Sequence, residues 1–170
     1  MPKETIISES IRLRGDLVVG DCSIIDDYCY FAADVITGKY VHIAHNVTVL
    51  GKGFKCNIGD FTAIGPGVRI ACASDDYNGG IAGPNIPIKY KGNPLSGNVS
   101  IGRHCVIGAN SVVFPNVIMP DGVGIGSLSI VKPDCELEPY GLYAGSPLRF
   151  IRYRQRNEEL EKMFVNQSES

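Results

Sequence analysis

The sequence predicts an all-β fold, a solenoid of short strands, and three observations carry that prediction. From Leu95 an aliphatic residue returns every six positions, at Leu95, Ile101, Ile107, Val113, Met119, Ile125, Val131 and Leu137. Four places after each stands a small or thin residue, at Val99, Cys105, Ser111, Val117, Val123, Ser129, Cys135 and Gly141, and the positions between are mostly Gly, Pro, Asn, Asp or charged. An α-helical period of about 3.6 residues cannot keep those positions on one face, whereas short strands broken by a turn in every repeat can. No single repeat of this length buries its own apolar side, so stacked neighbours must do it together.

The third observation is that the same frame runs back to the start of the chain. Ile7, Leu13, Val19, Ile25, Phe31, Thr37, Ile43 and Val49 hold the first inward slot, and Ile11, Leu17, Ser23, Cys29, Val35, Val41, Val47 and Gly53 the second. The frame slips by three at Lys55 to Asn57, resumes at Ile58, Ile64 and Ile70, breaks after Ser74 and returns at Leu95. Residues 75–94, DDYNGGIAGPNIPIKYKGNP, are rich in Gly and Pro and out of register, so they leave the solenoid as a long loop. Ile86, Pro87, Ile88 and Tyr90 give that loop something apolar to lay down. After Gly141 the pattern stops. Ser146 suits a helix cap and Pro147 a first turn, which predicts a helix from Pro147 to about Phe164, basic in its first half through Arg149, Arg152, Arg154 and Arg156. The final NQSES is expected to fray. The chain therefore divides into a solenoid with a protruding loop, 1–146, and a helix and tail, 147–170.

Composition excludes several function classes. The 16 basic and 18 acidic side chains of the 170 residues nearly balance, and a nucleic-acid surface would want a basic excess. No apolar run approaches the ~18–20 residues of a membrane span, and MPKETIISES does not read as a signal peptide, so a cytoplasmic protein is expected. The six cysteines form no CxxC pair, and Cys29, Cys105 and Cys135 occupy the thin inward slot, where a thiol is a small hydrophobe. They read as reduced core residues.

Three histidines are the candidates for acid–base chemistry. Within each repeat the aliphatic points inward, its immediate neighbours point outward from a flat side, and the next two residues turn the corner. His42 directly precedes inward Ile43 and so projects from a flat face, where it can line a cleft between two packed molecules. His45 and His104 fall at corners. A general base needs a pKa near neutrality, which imidazole has, and a surface that holds substrate within hydrogen-bond reach, which the flat face around His42 offers.

The segments VHIAHNVTVLG, ACASDDYNGG, IGRHCVIGANSVV and YAGSP together resemble the hexapeptide-repeat acyltransferases, and within them the sugar O- and N-acetyltransferases of surface-polysaccharide and lipopolysaccharide biosynthesis. The likeness runs over most of Val19 to Arg156. It implies a left-handed parallel β-helix in which three hexads make one triangular coil, hence about six coils rising ~4.8 Å each. It further implies a homotrimer with active sites between subunits, a long loop reaching over a neighbour, acetyl-CoA as co-substrate and a sugar as acceptor. On this resemblance His42 is the general base, with Asp75 and Asp76 at the loop entrance beside it. Gly108, Ala109, Gly126 and Ser127 let the pantetheine arm approach the backbone, whose amides hold a developing oxyanion. Lys132, Pro147, Arg149 and Arg152 meet the nucleotide end. One departure stands out: relatives of the galactoside and maltose acetyltransferase type carry their catalytic histidine near the start of the long loop, where this chain has Asp75 and Asp76. Either His42 or His45 supplies the base, or an amine acceptor loses its proton without one.

Two other readings remain open on the sequence. Gamma-type carbonic anhydrases share the fold and hold zinc between subunits. If Ile43 and Ile101 start hexads on one face two coils apart, His45 and His104 lie roughly 10 Å apart along the axis, too far for one zinc with ligand bonds of about 2.1 Å. No metal is expected. A structural β-helix without a ligand is the second alternative, and neither the long loop nor the basic terminal segment is needed for that.

Overall fold

The computed structural model describes residues 4–156 together with Glu159 and Lys162. Short strands stack into three flat walls of a parallel β-solenoid. The first wall runs Ile6–Ile7, Ile24–Ile25, His42–Ile43, Ala63–Ile64, Val106–Ile107, Gly124–Ile125 and Gly141–Ala144. The second runs from Arg12–Leu13 through Tyr30–Phe31, Thr48–Leu50, Arg69–Ala71 and Val112–Val113 to Ile130–Val131. The third holds Leu17–Val18, Asp34–Thr37, Lys55–Ile58, Val99–Ile101 and Ile118–Met119.

The hexad frame explains the register. Ile7 lies beside Ile25, Ile25 beside Ile43 and Ile43 beside Ile64, so each coil sets the same slot over its predecessor. Those slots build the core: Ile25, Phe31, Val35, Ile43, Ile64, Ile70, Ile107 and Val113 are almost completely buried. Each such side chain adds about 1.5–3 kcal/mol of burial free energy. Ser23, Ser111 and Ser129 also fill inward slots, because each hydroxyl donates to a corner carbonyl: Ser23 to Gly38 O at 3.1 Å, Ser111 and Ser129 to Gly126 O at 3.0 and 2.7 Å. Cys29, Cys56, Cys72 and Cys105 are buried free thiols, and burial pushes Cys72 and Cys105 up to about 11.

Corners repeat as regularly as walls. One residue at most turns sits in the left-handed region, among them Tyr40 at φ 57°, Asn46 at 58°, Phe61 at 58°, His104 at 54° and Asn110 at 56°. Glycine takes the same place at Gly67 and Gly122. Asn and Gly accept this conformation readily, whereas an aromatic residue there costs about 1–2 kcal/mol. Tyr40 and Phe61 offset part of that cost by stacking, with ring centroids 5.0 Å apart and planes 5° from parallel.

Four departures from the sequence frame have local causes. The three extra residues fall in the turn before Lys55–Ile58, so Gly53 is exposed and Cys56, beside Val35, takes the inward slot. Leu95 belongs to no coil: Leu95–Ser96 pairs antiparallel with Ala73–Ser74 and closes the base of the long loop, and winding resumes at Val99. In the first coil Ile7 and Leu13 remain 42% and 44% exposed, since no earlier coil covers them. The helix expected from Pro147 is replaced over 149–153 by a strand, Arg149–Tyr153, which turns back and pairs antiparallel with Gly141–Ala144. It satisfies the edge that the last coil would otherwise present. Residues 154–156 carry no regular structure, and beyond them the expected helix, like the expected fraying of 166–170, lies outside the described residues apart from Glu159 and Lys162.

Candidate active site

His42 stands on the first wall because strand alternation turns Ile43 into the core and its neighbour out. Its Nε2 lies 2.9 Å from Asp26 Oδ2, with the two side chains 50% and 38% exposed. A carboxylate only accepts, so Nε2 donates and Nδ1 is left as the proton acceptor. Asp26 follows inward Ile25 one coil below, and the parallel register of Ile24–Ile25 with His42–Ile43 brings the two side chains together diagonally. Sequence reasoning named no partner on this wall. Carrying the register back by one coil from His42 would have found Asp26.

The adjacent acid is turned elsewhere. Asp27 accepts from the hydroxyls of Ser8 and Ser10, which hold its carboxyl below the usual range. Asp75 and Asp76 sit at the entrance of the long loop, as the frame break predicts, but the loop leaves from the corner between the second and third walls. Asp75 accepts from Lys91 Nζ at 3.2 Å and from the Gly83 N–H at 3.0 Å. Asp76 accepts from the N–H groups of Asn93 at 3.0 Å and Asn78 at 2.8 Å, the first being the main reason its pKa is lowered. Both carboxylates thus tie the loop's two ends together. The carboxylate beside His42 within one chain is Asp26.

The other histidines stand at different corners, not on one face. Ile43 belongs to the first wall and Ile101 to the third, which corrects the shared face assumed in the spacing argument. His45 is exposed at the corner after the first wall. His104 lies at the corner before it, half-buried, and burial and then the Arg154 charge push its pKa below 6.5. Among the described residues no group of three His, Cys, Asp or Glu side chains could hold a metal.

Above the His42–Asp26 pair, the position following each inward residue of the first wall is occupied by Ala44, Gly65, Gly108, Gly126 and Ala144 in turn. The result is a smooth track along the prism axis, four coil steps or about 19 Å long. Gly108 and Gly126 are explained by stacking alone. A Cβ on Gly108 would stand 2.4 Å from Ser127 N, and glycines away from this track meet the same limit, Gly59 at 2.6 Å from Arg103 N and Gly102 at 2.6 Å from Asp121 Oδ1. Their amides are also engaged, Gly108 N with Ile125 O at 2.7 Å and Gly126 N with Tyr143 O at 2.8 Å. The amides of Ala109 and Ser127 are different: neither has an acceptor among the described residues.

At the far end of the track lies a cavity of about 660 Å³, lined by Lys132, Ser146 and Pro147 with Tyr143 and Phe150. Tyr143 and Phe150 meet edge to face at 5.5 Å, and Phe150 and Tyr153 at 5.0 Å. Arg149 begins the terminal strand opposite Ala144, where the track ends. Arg152 lines a separate cavity of about 500 Å³ with Leu142 and Arg154. The structure therefore brings Lys132, Pro147 and Arg149 to one end and sets Arg152 apart from them. Phe150 and Tyr153 reach this end because the terminal segment is a strand, an arrangement that the helix expected from Pro147 does not reveal.

No protein-family model matches the chain. A dTDP-4-amino-4,6-dideoxy-D-glucose acyltransferase of Escherichia coli is 37% identical over 165 residues, 93% of this chain and 84% of that protein. The structure of AntD, an N-acyltransferase from Bacillus cereus, in complex with dTDP and 3-hydroxybutyryl-CoA superposes with a TM-score of 0.85 at 32% identity, over 98% of this chain and 89% of that one. A mutant of AntD holding dTDP-4-amino-4,6-dideoxyglucose and coenzyme A gives 0.87 at 33% identity, over 96% and 88%.

Proposed function

The chain belongs to the hexapeptide-repeat sugar acyltransferases, and from that premise we propose that it transfers an acyl group, acetyl in the first instance, from coenzyme A to the amino group of a nucleotide-linked sugar. One observation supports the reading most: the His42–Asp26 pair, the smooth track and, at its far end, a cavity that Lys132 lines beside Asp134 and Glu136 follow one another along the prism axis. A long flexible thioester fits that order. Its acyl end reaches His42, its pantetheine arm lies on the track, and its phosphates meet Lys132 and Arg149.

In the proposed reaction the sugar amine attacks the thioester carbonyl and the carbon–sulfur bond breaks. His42 Nδ1 takes the proton of the attacking nitrogen and returns it to the departing sulfur, while Asp26 holds the ring and steadies the imidazolium. The Ala109 and Ser127 amides, two and three coils above His42 or about 10 and 14 Å along the axis, are read as donors to the pantetheine arm and not to the oxyanion at the acyl end. Gly108 and Gly126 serve by being small, not by donating.

A flat wall alone is an open surface, so the cleft is completed by a second copy. We assign a homotrimer in which each long loop crosses to a neighbour. Tyr77 at 91%, Ile88 at 74% and Tyr90 at 52% exposure give it apolar contacts to make, and Asp75 and Asp76 brace its root. Sedimentation of the pure protein tests this, and a monomer under assay conditions rejects it. An enzyme using acyl-CoA and a nucleotide sugar would work in the cytoplasm, on precursors of a surface polysaccharide. Among the described residues no helix is long and apolar enough to cross a membrane.

The decisive assay follows thiol release from acetyl-CoA against dTDP-linked amino sugars and free glycosides. Turnover with the nucleotide-linked amine is the expected result. Turnover only with free hydroxylated sugars overturns the acceptor, and absence of any thermal stabilisation by coenzyme A overturns the donor.

A further inference from the structure

The terminal strand Arg149–Tyr153 closes the first wall and, among the described residues, pairs along one edge only, with Gly141–Ala144, in a ladder that shifts register between Leu142 and Tyr143. All five of its residues are exposed, so core burial does little to hold it. Tyr153 donates to Glu138 and Phe150 packs edge to face on Tyr143, both partners in the last coil. Arg154 reaches further. Its backbone N–H donates to Tyr140 O at 2.7 Å, and its Nη1 to Gly122 O at 2.6 Å and His104 O at 2.8 Å. Those carbonyls belong to three successive turns of the corner before the first wall, a span of two coil steps or about 10 Å.

The wall is shaped to receive this side chain. Outward on the first wall, Ile24, His42, Ala63, Val106 and Leu142 form one row, which Gly124 interrupts between Val106 and Leu142. The backbone of Gly124 is not left-handed, so conformation does not call for glycine there. Space does: a Cβ would stand 3.1 Å from Arg154 Cδ and 2.9 Å from Leu142 Cδ1. The arginine stem therefore crosses the wall through a gap in the row that carries His42.

We propose that Arg154 is a positioning residue for acyl transfer: it pins the terminal strand at the height where Arg149 and Phe150 meet the nucleotide end of acyl-CoA. The proposal rests on the acyltransferase reading and adds to it the device that sets the far end of the donor. Arg149 lies opposite Ala144, where the track ends, and Phe150 lines the far cavity. Both are exposed, so their places depend on how the strand is held. A guanidinium suits the task because one planar group bonds two carbonyls at once, which an ammonium on a flexible stem does less rigidly. Without the clamp, an exposed edge segment with few buried contacts opens locally while the core stays folded.

The test compares two donors on the full-length protein at saturating acceptor: acetyl-CoA, and acetylpantetheine, which keeps the thioester and arm but lacks the nucleotide. Arg154→Met is expected to raise KM for acetyl-CoA about tenfold with kcat retained, and to leave kcat/KM for acetylpantetheine and KM for the acceptor unchanged, the mark of an effect confined to the nucleotide end. Gly124→Ala crowds the same side chain while keeping its charge and is expected to act in the same direction, and Arg154→Lys to recover part of the loss. Without any ligand, amide hydrogen exchange across 149–153 is expected to run about tenfold faster in Arg154→Met. Equal losses on both donors, an unchanged KM for acetyl-CoA, or wild-type exchange in Arg154→Met overturns the proposal, and Gly124→Ala decides it where Arg154→Met does not fold. Wild type that turns over neither donor overturns the acyltransferase reading instead, and exchange then decides the clamp by itself.

Discussion

The flat first wall and the corner that precedes it each carry a histidine, and the two side chains live under opposite conditions. His42 is half exposed on the wall and bonded to a carboxylate on the coil below. His104 is half-buried at a left-handed corner beneath Arg154, whose Nη1 donates to His104 O at 2.8 Å and Gly122 O at 2.6 Å. A wall position gives an imidazole an approachable face and a carboxylate that orients its ring. A corner position buries it against another cation and favours the neutral form. Of these two histidines, catalysis is therefore expected from the wall residue and stability from the corner residue, and substitutions at either place can break that division.

The largest effect should come from the wall. His42→Ala is expected to lower kcat by about 10²–10⁴-fold with coenzyme A affinity and melting temperature unchanged, because the side chain projects from the prism and supports no core contact. Full activity in that variant would show that the amine loses its proton unaided. Asp26→Asn should cost less, about 10–10²-fold in kcat, since the ring stays in place while its orientation and charge stabilisation weaken. Steady-state kinetics at saturating substrates reads both. Equal losses in KM alone would move the pair from chemistry to binding.

A smaller change probes the track between the two ends. Ala144→Leu adds bulk directly over Gly126, the last of the stacked glycines, whose Cβ position lies 2.9 Å from Ala144 Cβ. KM for acyl-CoA should rise about tenfold with kcat retained, the pattern of lost uniform binding. An unchanged KM would mean that the pantetheine arm lies elsewhere.

The same contrast between walls and corners explains what the sequence made legible. Wall residues are specified by periodic burial, so the frame from Ile7 to Val131 could be read directly, down to the slip near Lys55. The placement of that slip could not, because Gly53 and Cys56 are both thin and only pairing with Val35 decides between them. Leu95 satisfies the period by coincidence and is recruited into an antiparallel pair at the loop base. The terminal segment shows local signals losing to tertiary ones. Ser146 and Pro147 look like a helix start, yet Arg149–Tyr153 completes an open sheet edge, and its Phe, Ile and Tyr content was the available sign. Asp26 was hidden for another reason: it is next to His42 only through coil register, eighteen-residue periodicity that six-residue reading does not display.

The smallest effect belongs to the corner. His104 has its folded pKa below its ordinary value of 6.5, burial contributing first and Arg154 second. The unfolded chain therefore takes up the proton at higher pH than the native one. Stability is complete above pH 6.5, falls as pH drops through that value, and stops falling once the folded residue is also protonated. His104→Asn removes the titration and puts at φ 54° a residue that tolerates the left-handed region better. Melting curves at pH 7.5 and 5.5 should then differ less in the variant than in wild type, by about one or two degrees. Activity at pH 7.5 should not change, because the imidazole at this corner faces Tyr140 at 6.2 Å and Arg154 instead of the reacting wall. A variant that lost turnover but kept the wild-type pH dependence of melting would reverse the division between corner and wall, and with it the assignment of the base to His42.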